Sequence, residues 1–138
     1  MNGFRLREYL RYRWKAKGRH GVHSPFVYRL VEECLNQPNK TSLEERLHLF
    51  FAGWTVLKLD KADPGNWLPV LRAEEEKSSV PQVVLLPGIH ETPAHQAIWQ
   101  QVYAQKNIPL TIDLFEMGIC LYQDDFKEKQ HFILKHKA

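Results

Sequence analysis

The run Gln82-Val83-Val84-Leu85-Leu86 constrains the fold more than any other stretch of the chain. It is nearly all apolar and too short for an ordinary helix, and Pro87-Gly88 closes it. Successive residues of a strand point to opposite faces, so an all-apolar strand belongs to a sheet covered on both sides. The neighbouring segments can supply that cover. Asn66 to about Lys77 reads as a helix with Trp67, Leu68, Val70 and Leu71 inward and the Glu74-Glu75-Glu76 run solvated. Thr92-Pro93 starts another, with Ala94, Ala97, Ile98 and Val102 along one side. Trp54 to Leu59 is an earlier strand, ended by the polar turn Asp60-Lys61-Ala62-Asp63-Pro64-Gly65. Strands alternating with helices predict parallel pairing through crossover helices.

The last quarter changes pattern. Leu110 to Phe115 and Ile119 to Gln123 read as strands across the tight turn Glu116-Met117-Gly118, and His131 to His136 as a third. Upstream, Phe4 to Trp14 has partial helical spacing through Leu6, Leu10 and Trp14, which predicts an amphipathic helix ended by Gly18. Ser24-Pro25 is a helix start for Phe26, Val27, Leu30, Val31, Cys34 and Leu35, and Asn36-Gln37-Pro38-Asn39 stops it. Ser42-Leu43-Glu44-Glu45 reads as a capping box before Leu47 and Phe50. The expected architecture is a single α/β domain over residues 1–138: N-terminal helices with a basic arm over 1–52, then an α/β core with a mixed sheet over 53–138.

Charge is unevenly spread. Residues 1–29 carry eight Lys or Arg against Glu8 alone, a local balance of +7, so a net charge of +3 leaves the remainder at −4. Arg11 and Arg13 of the arm, with Arg19, His20 and His23 beyond it, are the candidates for binding an anion or a phosphate-rich partner. Tyr9, Tyr12 and Trp14 could stack, but no nucleic-acid motif accompanies them. No apolar run approaches the ~20 residues of a spanning helix, and no signal peptide is read at the N-terminus, so a cytoplasmic protein is expected. Cys34 and Cys120 are far apart and read as small buried apolar residues.

His90-Glu91-Thr92-Pro93-Ala94-His95 is one residue too long for the zinc-protease pattern, and Pro93 begins a helix between its histidines. His90 reads instead as a hydrogen-bonding residue at a strand end, and Asp113 as the support of a tight turn. No metal or catalytic set is assigned.

Two separated blocks resemble bacterial class I S-adenosylmethionine-dependent methyltransferases of the O-methyltransferase type. One is Arg19-His20-Gly21-Val22-His23-Ser24-Pro25-Phe26-Val27, similar to the family's entry helix. The other runs from Val83 through Ile89-His90, Ala97-Ile98-Trp99 and Thr111-Ile112-Asp113-Leu114-Phe115-Glu116-Met117-Gly118 to His131-Phe132-Ile133-Leu134, similar to its C-terminal half. The resemblance implies a truncated Rossmann-like methyltransferase sandwich: N-terminal helices, two parallel strands and a C-terminal antiparallel hairpin. In the family a Gly-rich turn lets backbone approach the cofactor, which only residues without Cβ allow. Here the glycines stand at Gly3, Gly18, Gly21, Gly53, Gly65, Gly88 and Gly118, with no such turn. Only about twenty residues separate the entry helix from the Trp54 strand, too few for the family's first three strands. Trp54 to Leu59 then takes the place of the fourth, Asp60 falls at an acidic position of the family, and Pro87-Gly88-Ile89-His90 stands where Asp-Asp-Ile-His is common.

The reading that follows is a methyltransferase-like pseudoenzyme without the cofactor-binding half, serving as an interaction or accessory module and holding no cofactor. A homodimer or partner chain is expected to cover the Trp54–Leu59 edge, unless the N-terminal helices do. Two alternatives stand beside it: a residual methyltransferase using S-adenosylmethionine, and a phosphate- or nucleic-acid-binding module acting through the basic arm.

Overall fold

The computed structural model describes residues 2–18, 24–37, 41–75, 81–123, 126 and 128–136. Its elements are α1 (Gly3–Lys15), α2 (Pro25–Leu30), which continues as a π-helical turn over Val31–Leu35, α3 (Leu43–Phe50), β1 (Thr55–Lys58), α4 (Trp67–Glu75), β2 (Gln82–Pro87), α5 (Pro93–Tyr103), β3 (Leu110–Asp113), β4 (Met117–Tyr122) and β5 (Gln130–Ile133). The five strands form one mixed sheet in the order β1-β2-β4-β3-β5. β1 runs parallel to β2 and β3 to β5, while β4 is antiparallel to both of its neighbours. Four strands therefore point one way, and their carboxyl ends share an edge.

The predicted α/β class with a mixed sheet is present. Val83 and Leu85 of β2 face a core built by α2, the π turn and α3, whereas Val84 and Leu86 face Trp67 and Leu71 of α4 and Trp99 and Val102 of α5. All four are at most 1% exposed, and burial of each contributes about 2 kcal/mol before the entropy of ordering is set against it. Ser24 and Thr92 cap α2 and α5, each followed by Pro in the first turn. Ser42 Oγ accepts from Glu45 N at 3.1 Å at the start of α3. Cys34 and Cys120 are free and buried.

α1 leaves the stripe Leu6, Leu10 and Trp14 exposed and buries Glu8 and Tyr12, because the aromatic ring and hydroxyl of Tyr12 find partners at the sheet edge. Three expectations need correction. The tight turn of the hairpin is Leu114-Phe115-Glu116 and not Glu116-Met117-Gly118, because Met117 and Gly118 pair within β4, opposite Pro87 and Asp113. In α5, Ala94 and Ala97 lie outside and Trp99 and Val102 inside, since the indole removes far more apolar area from water than a methyl group can. Glu74 is not simply solvated, because it accepts from Gln82 Nε2 at the start of β2; Glu76 lies outside the described residues. One device had no sequence signal: the guanidinium of buried Arg46 in α3 donates to the carbonyls of Cys34, Leu35 and Gln37, satisfying groups left open where the preceding helix ends.

Candidate functional site

In open α/β sheets, ligands bind outside the carboxyl ends of the parallel strands. His90 follows β2, Asp113 ends β3, and Leu134 follows β5 on that edge. α1 lies across it. The Tyr12 hydroxyl donates to the Leu134 carbonyl, and Lys17 N donates to Ile133 O at 2.8 Å while Lys135 N donates to Lys17 O at 3.0 Å. Arg5 pairs with Glu91 at 3.5 Å.

Beneath α1 the polar groups are committed to one another. Asp113 Oδ2 lies 2.7 Å from His90 Nε2 and accepts from Trp99 Nε1 at 3.2 Å, while its Oδ1 accepts from Phe115 N at 2.8 Å. His90 Nδ1 lies 2.7 Å from Gln96 Oε1. With an oxygen acceptor at each ring nitrogen, the imidazolium satisfies both. Burial pulls the His90 pKa down, but the hydrogen bond and charge of Asp113, helped by Gln96 and by the charge of Glu8, outweigh it and raise the value above the ordinary 6.5.

Phe115 sits at the β3–β4 turn with φ 66°, a conformation that costs a residue with a Cβ. The Asx-type bond to Asp113 holds it there, and its ring stacks on His90 at 5.5 Å and meets the edge of Tyr9 at 5.0 Å. The Arg5 guanidinium lies 5.5 Å from the same ring.

Between α1 and α5 remains a cleft of about 110 Å³, bordered by Glu8, Arg11, Tyr103 and His131 as well as the His90 pair. Arg11 Nη1 pairs with buried Glu8 at 3.1 Å. His131 stacks on Tyr103 at 4.1 Å and contacts Thr111 Oγ1 at 2.7 Å. Burial, with the positive charge of Lys129 adding to it, lowers the His131 pKa to about 4, so this ring is neutral. Ligand and cofactor pockets usually enclose about 300–1,000 Å³, well above the volume of this cleft.

The carboxyl ends of β1 and β2 border an open depression of about 380 Å³ lined by Lys58, Leu59, Asp60, Lys61 and Pro87. Asp60, exposed at this depression, commits its Oδ1 to its own turn, accepting from Ala62 N at 2.9 Å. His95 is separate from His90, contacting Thr92 Oγ1 at 2.7 Å and Lys61 O at 2.8 Å. Among the described residues no group of three His, Cys, Asp or Glu could hold a metal ion, and no helix is long and apolar enough to cross a membrane.

Of the residues singled out for anion binding, Arg11 borders the cleft and Arg13 is exposed on α1. Arg19, His20 and His23 lie outside the described residues. The two resting on α1 are not brought together around a common point. The densest polar cluster instead joins His90 to Asp113, an association that sequence reasoning missed. Part of its signal was available: the order β2–α5–β3 brings both residues to one edge, and only the strand order puts them in contact.

These features define an α/β protein with a polar network packed under its first helix and bordering a small cleft. Compared with family models, curated proteins and solved structures, the chain finds no match.

Proposed function

We propose that this chain is a methyltransferase-like protein without the cofactor-binding half that works through contact and not through catalysis, with α1 as its contact element. The observation that carries this reading is the position of α1. It lies across the edge where a sheet of this kind would receive a ligand, and its inner face closes over a His90–Asp113 pair whose hydrogen-bonding atoms already have partners. A general base needs a free nitrogen, and both nitrogens of His90 already face a partner. The residue blocks that resemble methyltransferases support the ancestry, and the absence of a Gly-rich turn in the sequence supports the loss of cofactor binding.

The outer side of β1 is the second contact surface in this reading. α2 and α3 pack against Trp54 and Val56, yet β1 pairs with β2 alone among the described residues. A strand from a partner chain or from a second copy fits that open edge.

Calorimetric titration with S-adenosylmethionine and with S-adenosylhomocysteine tests the reading. No saturable heat is expected from either, and saturable micromolar binding would overturn it in favour of a residual methyltransferase.

A further inference from the structure

We propose that the outward face of α1 docks onto an anionic lipid surface. This rests on the reading of α1 as the contact element and names what it contacts. Leu6, Leu10 and Trp14 recur at four-residue steps and so share one face of the helix. They are 49%, 60% and 86% exposed, while the opposite face is held to the sheet by Tyr12 and Phe115. Arg7 and Arg13 stand three residues before and after Leu10, one on either flank of the stripe, and both are exposed. Among the described residues no carboxylate pairs with either, and the single acid of α1, Glu8, is buried and turned toward Arg11.

An apolar stripe with Trp, bordered by cations and free of exposed acids, matches the interface of an anionic bilayer in both chemistry and charge. Nucleic acid would use the cations and Trp14 but would leave the two leucines unmatched. A second copy seated face to face would oppose Arg7 and Arg13 to cations of the same sign.

The test is co-sedimentation of the full chain with vesicles of phosphatidylcholine alone or of phosphatidylcholine mixed equally with phosphatidylglycerol, with Trp14 emission read in parallel. Binding to the anionic vesicles is expected, with a blue shift of Trp14 and affinity that falls as salt rises. Arg7→Gln and Arg13→Gln should each weaken binding about fivefold. Leu10→Gln and Trp14→Gln should each weaken it roughly tenfold, as buried apolar area is lost. Circular dichroism shows whether these surface variants keep the fold.

No binding, equal binding to neutral vesicles, or indifference to Leu10→Gln and Trp14→Gln would overturn the proposal. So would tighter binding to a DNA oligonucleotide, or self-association abolished by Leu10→Gln, each of which assigns the face elsewhere. The non-catalytic reading survives those outcomes and falls if S-adenosylmethionine or S-adenosylhomocysteine binds.

Discussion

Asp113 accepts three hydrogen bonds, one of them from His90, and that ring and His131 have opposite effects on stability. The folded pKa of His90 is raised, so its contribution is fully present below the ordinary histidine value and is lost as pH rises through the higher folded value. His131 is lowered to about 4, so the unfolded chain binds the extra proton between there and 6.5, and stability falls as pH drops through that window. The acid-side loss is at most about 3 kcal/mol. Urea unfolding at several pH values should show His90→Gln flattening the alkaline limb and His131→Asn the acid limb; equal slopes in both variants would refute the assignment. Gly118 makes the network possible, because a Cβ there would stand 2.6 Å from the Trp99 ring whose Nε1 reaches Asp113. Gly118→Ala should cost about 2 kcal/mol in the same assay, whereas Gly65→Ala, whose Cβ would only touch Asp63 Oδ1 at 4.0 Å, should stay within about 0.5 kcal/mol. The turn-supporting role of Asp113 was legible in the sequence, since short-range Asx bonding is local. Its hold on His90, 23 residues away, was not, because that contact depends on strand order.

At the level of elements, periodicity placed α1 and left open which of its faces is buried. Leucines at four-residue steps predict the inner face of a helix that packs on an apolar surface. α1 packs instead on a sheet edge with unpaired carbonyls, where Tyr12 satisfies more of what is buried than Leu10 could. Tyr12→Phe should therefore cost about 1 kcal/mol in thermal or urea unfolding, and Leu10→Gln, at an exposed site, less than about 0.5 kcal/mol. The reverse order would mean that the stripe faces inward. The same logic governs α5, where Trp99 displaced the smaller alanines from the inner face. Caps were legible in advance, at Ser24, Ser42 and Thr92, because each acts within three residues of itself.

Across the whole molecule, β2 organises two cores, and its uninterrupted apolar run made that role readable before any contact was known. The hairpin and the α/β class were readable for the same local reasons. The insertion of β4 between β2 and β3, the parallel β5, and the crossing of α1 over the carboxyl edge are long-range arrangements that no pattern of period two or 3.6 encodes. α1 packs on this edge through Tyr9 and Tyr12 while presenting Leu6, Leu10 and Trp14 outward. Trp14 reports on it directly, being 86% exposed where Trp67 and Trp99 are at most 1% and Trp54 is half-buried against the helices. Iodide, drawn to the basic face of α1, should quench a fraction of the protein's fluorescence that disappears in Trp14→Phe. Quenching left unchanged by that substitution would contradict the account, since it would place Trp14 inside the protein.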